Sequence, residues 1–175
     1  QVLQFAAELG PNQVVLHPGF IGSPCFSREL AQKRAKESTV LLAEKAKALG
    51  VQLAFENVGI GGSSIYNEEE FTNALEGIDP TVGYLIDMGH AHANGWNLPR
   101  LIEKLSHRLL GLHIHDNNGN RDEHLPIYQG SIAWNDVFEA LRPYSKDCEL
   151  ILEYAPGTPL IELAKGKSIL LERLS

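Results

Sequence analysis

The sequence has few cysteines, no long apolar run and no basic tract. Its only two cysteines, Cys25 and Cys148, are too few for a disulfide framework and form no C-x-x-C pair, so we expect reduced thiols and a cytoplasmic protein. No apolar segment reaches the ~18 residues of a membrane-spanning helix, and no signal peptide is visible. The formal net charge is −7. This balance does not favour nucleic-acid binding, although bound metal cations can reverse a local field.

The sequence instead contains a regular alternation of strand-like and helical segments. Five short apolar runs predict strands at 13–17, 51–56, 82–87, 109–116 and 149–154. Helical periodicity predicts a short first helix and further helices at about 27–49, 67–77, 98–105, 134–141 and 159–174. Such alternation is typical of parallel βα units. An open doubly wound sheet and part of a (β/α)8 barrel both fit this pattern.

A polar residue at the end of every predicted strand favours the barrel. These residues are His17, Glu56, Asp87, His113 and Glu153. Because side chains alternate along a strand, the preceding apolar residues face the helices and the polar ones converge on the barrel mouth, where barrel enzymes hold their active sites. We therefore predict an α/β fold with one domain over residues 1–175. It would be a (β/α)8 TIM barrel present as about five C-terminal βα units, with its N-terminal strands missing.

Carboxylates and neutral imidazoles at one barrel mouth predict a metal centre. Such groups bind zinc, manganese or cobalt, and we expect one to three ions per chain. The predicted four-ligand site consists of Glu56, Asp87, His113 and Glu153, and the residues that could bind further ions are His17, His90, Asp122 and His124. A single acidic residue at a strand end commonly caps a helix, and a single histidine there is commonly a core residue. Their coincidence on five strands favours the metal site.

Five motifs, in this order, resemble the xylose isomerase-like barrel superfamily. They are "HPG" (17–19), "FEN" (55–57), "IDMGHAHANG" (86–95), "LHIHDNNGNRDEHLP" (112–126) and "LILE" (150–153). The superfamily includes sugar and sugar-phosphate isomerases and epimerases, and the endonuclease IV enzymes (AP endonuclease family 2). The resemblance implies that the "HPG" strand is the fourth of eight, so that three strands would precede it.

The resemblance also implies roles for individual residues. Glu56 would bridge the central metal and a second metal held by His17, while a third metal would be held by His90, Asp122 and His124. Asn57 is predicted to contact substrate. His115 is also predicted to contact substrate, because it shares the strand parity of His113 and points inward.

The favoured function is a divalent-metal-dependent isomerase or epimerase of a small sugar or sugar phosphate. A metal would bind a carbonyl and its neighbouring hydroxyl and stabilise an enediolate. Glu56 and Glu153, on opposite sides of the substrate, would transfer the proton as catalytic residues. The acidic composition and the short loop from His113 to Asp122 support this hypothesis.

Two alternatives remain open from the sequence. The first is an endonuclease IV-like zinc phosphodiesterase that acts at abasic sites in DNA. The second is a binding barrel, or a piece of a barrel, without activity. Five strands would also leave open sheet edges, which a partner or a second copy of the chain, as in a homo-oligomer, would cover. No membrane partner is expected.

Overall fold

The structure is a computed structural model that describes residues 1–10, 13–23 and 25–175. It contains two compact units, Gln1–Leu85 and Ile86–Ser175. The boundary between the units falls inside a strand and not in a linker. The prediction of one domain over 1–175 stays a prediction.

The first unit consists of parallel strands and helices in alternation. Its elements are α1 (Val2–Leu9), β1 (Gln13–Leu16), α2 (Arg28–Ala48), β2 (Gln52–Glu56), a 3-10 turn (Gly61–Ser63), α3 (Glu68–Asn73) and the first four residues of β3 (Val82–Asp87). β1 pairs with β2 and β2 pairs with β3, both in parallel, with Phe55 opposite Tyr84. The parallel βα units predicted from the alternation are therefore confirmed.

Aromatic side chains form the core of this unit. The Phe71 ring of α3 lies 6.0 Å from the Phe55 ring of β2 and 5.2 Å from the Tyr84 ring of β3. The hydroxyl of Tyr84 donates a 2.9 Å hydrogen bond to the carbonyl of Thr72, which satisfies the one polar group that this ring brings into the core. Phe55 thus lies on the helix-facing side of its strand, as the alternation predicts, which leaves Glu56 on the other side.

The second unit begins within β3 and continues the same alternation. Its elements are α4 (Met88–Ala93), α5 (Leu98–Leu105), β4 (Leu109–Ile114), α6 (Trp134–Leu141), β5 (Glu149–Leu152) and α7 (Leu160–Leu174). β4 pairs with β5 in parallel, with His113 opposite Ile151. Leu112 and Ile114 are fully buried on either side of His113. Leu101 and Ile102 of α5 and Phe138 of α6 are buried in the core of the unit.

The structure differs from the sequence-based boundaries by two residues or more in three places. β4 and β5 end two residues before the predicted ends, and α3 stops at Asn73 instead of about residue 77. Helix α4 was not predicted at all. Among the helices of the described residues, none is both long and apolar enough to cross a membrane.

Candidate metal centre

Asp87 is the last residue of β3 and also the N-cap of α4. Its side chain accepts a 2.6 Å hydrogen bond from the backbone N–H of His90, and only 1% of the side chain is exposed. An N-cap carboxylate satisfies one of the unpaired N–H groups at the start of a helix. Asp87 therefore caps a helix, as a single acidic residue at a strand end commonly does. The capping hydrogen bond holds its carboxylate in one orientation.

His113 and Glu153 lie beside Asp87 within the second unit. The Nδ1 atom of His113 is 3.0 Å from Oε2 of Glu153 and 4.0 Å from Oδ2 of Asp87. Glu153 follows directly after β5, and its backbone N–H donates to the carbonyl of Ile114 at 3.1 Å, which continues the β4–β5 pairing by one residue. Three of the predicted ligands thus converge at the carboxyl ends of their strands.

A second cluster forms around Asp122. Its Oδ2 atom lies 3.1 Å from Nε2 of His90 and 3.1 Å from Nε2 of His124. Two backbone hydrogen bonds between Asp116 and Leu125, of 2.7 and 2.8 Å, fold the loop back and bring these side chains to the strand ends. The polar loop after β4 therefore places Asp122 against His90, three residues after Asp87.

The two carboxylates have lowered pKa values. Burial is the largest influence on the pKa of Asp87 and raises it, but the hydrogen bond from His115 and the charges of His115 and His90 outweigh burial, so the net pKa lies below its usual value. Burial also raises the pKa of Asp122, but His90, His124 and His115 together lower it to about 2. Both side chains are therefore carboxylates at neutral pH, the form that binds cations.

The hydrogen bonds of His124 fit a cation beside Asp122. Its Nδ1 atom lies 2.8 Å from the carbonyl oxygen of Glu153, which can only accept, so Nδ1 carries a proton. When the ring is neutral, the lone pair of Nε2 faces the Asp122 carboxylate at 3.1 Å. Two electron-rich groups are stable at this distance only with a proton or a cation between them. Ring nitrogens of His115 and His124 and a carboxylate oxygen of Glu153 also lie within 4.8 Å of one another.

The first unit contains the other predicted site residues. Nε2 of His17 lies 2.7 Å from Oε2 of Glu56; the Glu56 side chain is 3% exposed, whereas that of His17 is 56% exposed. Asn57 is buried next to Glu56 in the chain. His17, which was predicted to hold the second metal, thus contacts Glu56, the carboxylate that was predicted to bridge this metal and the central one.

A buried hydrogen-bond network beneath the loop was not predicted from the sequence. The carboxylate of Asp116 accepts from the backbone N–H groups of Asn117 and Ile132 at 2.9 and 3.1 Å and from Nε1 of Trp134 at 2.7 Å. This network fixes the start of the loop that carries Asp122. The only signal in the sequence was an acidic residue directly after an apolar strand. A metal ligand gives the same signal, so the pattern does not distinguish a metal ligand from a buried structural carboxylate.

Comparison with known proteins identifies the family. The profile of the xylose isomerase-like TIM barrel family matches residues 1–170. The chain is 31% identical to the uncharacterized protein MJ1311 of Methanocaldococcus jannaschii over 98% of its own length and 59% of that protein. It matches the crystal structure of a D-tagatose 3-epimerase-like protein with 29% identity and a TM-score of 0.85, covering 99% of this chain and 66% of the other.

A further match shows the fold alone. The structure of the IolI protein with a binding zinc atom has a TM-score of 0.83 at 20% identity, covering 99% of this chain and 66% of that one. The chain belongs to the xylose isomerase-like TIM barrel family, which confirms the barrel over the doubly wound sheet. It spans about 59% of the length of its relative from Methanocaldococcus jannaschii.

Proposed function

We propose that this chain carries the metal centre of a divalent-metal-dependent isomerase or epimerase of a small sugar or sugar phosphate. The observation that supports it best is the convergence of Asp87, His113 and Glu153, in which Nδ1 of His113 lies 3.0 Å from the Glu153 carboxylate and 4.0 Å from that of Asp87. Glu56 is the fourth ligand of the sequence-based prediction. The 29% identity to a D-tagatose 3-epimerase-like protein supports the same reaction class.

The exposure of the side chains suggests how the roles are divided. Asp87 is almost completely buried, so it can hold a metal but cannot reach a substrate, whereas 44% of the Glu153 side chain is exposed. A bound zinc, manganese or cobalt ion would act as a Lewis acid toward a carbonyl and its neighbouring hydroxyl. The exposed Glu153 carboxylate would take a proton from the carbon that bears the hydroxyl, and Glu56 is the second proton-transfer residue of the sequence-based prediction.

Metal content is the first test. The chain is purified without chelator, and its zinc, manganese and cobalt are measured by elemental analysis, with Asp87→Ala and His113→Ala as loss variants and the exposed His107→Ala as the control. We expect about one tightly bound ion in the wild type and the control and much less in the two variants. Wild-type protein that binds none of the three cations, or variants that bind as much as wild type, would overturn the proposal.

Turnover is the second test. The metal-loaded protein is incubated with a panel of ketoses and their phosphates in deuterated water, and NMR detects deuterium at the carbon that loses its proton. Glu153→Gln should abolish exchange while the circular dichroism spectrum stays native. Glu149→Gln, at the exposed first residue of β5, should not abolish it. Normal exchange in Glu153→Gln would exclude this glutamate as the base.

The endonuclease IV-like alternative is not favoured, because the matched structure with 29% identity is epimerase-like. The cluster of His90, Asp122 and His124 does provide ligands for more than one ion. About three zinc ions per chain, together with salt-dependent binding and cleavage of a duplex with an abasic site, would favour the phosphodiesterase.

A further inference from the structure

We infer that His115 is a positioning residue that orients the Asp87 carboxylate as a metal ligand and connects it to the Asp122 cluster. This inference rests on the proposed function, since it assumes that Asp87 binds the metal. The ring of His115 is 0% exposed. A group without accessible surface cannot touch a substrate directly, which favours action through a neighbouring residue over the substrate contact expected from the sequence.

The Nε2 atom of His115 lies within hydrogen-bond distance of both oxygens of the Asp87 carboxylate. It lies 3.0 Å from Oδ1 and 3.1 Å from Oδ2. Both oxygens can only accept at neutral pH, so Nε2 carries a proton and donates to both. Oδ1 also accepts from the backbone N–H of His90 at 2.6 Å. The carboxylate therefore cannot rotate about its last bond without losing these hydrogen bonds, which keeps Oδ2 facing His113.

The ring of His115 is closely packed against two neighbouring groups. One face stacks on the ring of His124, with the centroids 3.9 Å apart and the planes inclined by 14°. The ring also lies against the backbone of Gly89 so closely that a β-carbon there would overlap it. A helix such as α4 would favour alanine over glycine by about 1 kcal/mol. Glycine at this position therefore leaves space for the His115 ring and makes the helix less stable than alanine would.

The other ring nitrogen faces the second cluster. Nδ1 of His115 is 3.9 Å from Oδ1 of Asp122, and neither of these buried atoms has a hydrogen-bond partner among the described residues. The imidazole thus lies between the carboxylates of Asp87 and Asp122. Residues that hydrogen-bond to a metal ligand orient it, and their loss commonly weakens metal binding 10- to 100-fold.

A set of substitutions at position 115 separates positioning from simple packing. Glutamine places an amide N–H close to the position of Nε2, whereas the shorter asparagine is equally polar but stops short of Asp87, and leucine packs without a donor. Cobalt(II) affinity and the visible absorption spectrum of the bound cobalt are measured for each variant that keeps the native circular dichroism spectrum. His107→Gln, at an exposed position in the same unit, is the control.

We expect His115→Asn and His115→Leu to weaken cobalt binding 10- to 100-fold and to change the spectrum, and His115→Gln to stay within about five-fold of wild type. Equal affinity and spectra in the glutamine and asparagine variants would overturn the inference. Asp87→Ala distinguishes this failure from that of the proposed function. If Asp87→Ala loses the metal while the position 115 variants bind normally, only the positioning role is wrong, whereas normal binding in Asp87→Ala removes Asp87 from the ligand set.

Discussion

The buried carboxylate of Asp116 accepts a 2.7 Å hydrogen bond from the indole Nε1 of Trp134. The same carboxylate accepts two backbone N–H groups, so three donors depend on one side chain that is fully buried. Asp116→Asn keeps the shape but replaces one acceptor with a donor. We expect it to lower the free energy of unfolding by about 2 kcal/mol, measured by urea denaturation.

Asp136→Asn is the control for this substitution, because Asp136 is exposed in the first turn of α6. Its effect should be about 0.5 kcal/mol or less. An Asp116→Asn protein that unfolds at the wild-type urea concentration would show that the network contributes little to stability.

Gly89→Ala tests the packing of the His115 ring against helix α4. Alanine should stabilise an ordinary helix, but here its β-carbon overlaps the imidazole, so we expect a net loss of about 1–3 kcal/mol in the free energy of unfolding. Cobalt binding should weaken with it, because the ring that orients Asp87 is displaced. Gly62→Ala, where no atom lies within 4 Å of the added carbon, is the matched control. A Gly89→Ala protein that is more stable than wild type would contradict the packing described here.

The two cysteines should differ sharply in reactivity. Burial is the largest influence that raises the pKa of Cys148, to about 11, and the charges of Asp147 and Glu149 add to it. At pH 8 its thiolate fraction is then about one in a thousand, and the thiolate is the reactive form. Cys25 is exposed. Native protein treated with a disulfide reagent should therefore show one fast thiol, which Cys25→Ser removes and Cys148→Ser keeps. Two equally fast thiols would be inconsistent with this environment.

The ion pair between Lys47 and Asp79 should make stability depend on acidic pH. The hydrogen bond from Lys47 Nζ, 2.8 Å long, and that from the backbone N–H of Thr81 lower the pKa of Asp79 to about 2, from 3.8. Because the pKa is lowered by folding, the stabilisation is complete above about pH 4 and disappears as the pH falls through 2.

The measurement compares urea midpoints of wild type and Asp79→Asn between pH 5 and pH 2. The difference should be small but present at pH 5, since the pair is exposed, and should shrink toward zero near pH 2. Lys47→Gln removes the same pair from the other side and should show a smaller pH dependence than wild type. A difference that does not change with pH would mean that the pair does not stabilise the fold.

Several elements could be predicted from local sequence because local physics determines them. The strand at 82–87 matches β3 at both ends, and the helix at 27–49 matches α2 to within one residue. Its predicted N-cap, Ser27, accepts a 3.2 Å hydrogen bond from the backbone N–H of Leu30. Helix α4 was missed because it begins directly at the end of β3 and is only six residues long, too short to show a helical period.

Periodicity and alternation act over a few neighbouring residues, so they were enough to predict the order of strands and helices and the polar residues at the strand ends. Which of these groups touch depends on tertiary contacts. Asp87 and His115 are 28 residues apart in the chain, yet a hydrogen bond joins them beneath α4. Such contacts depend on how the loop after β4 folds back and on a glycine that leaves space for a ring. Neither feature repeats along the chain, so no local pattern could predict them.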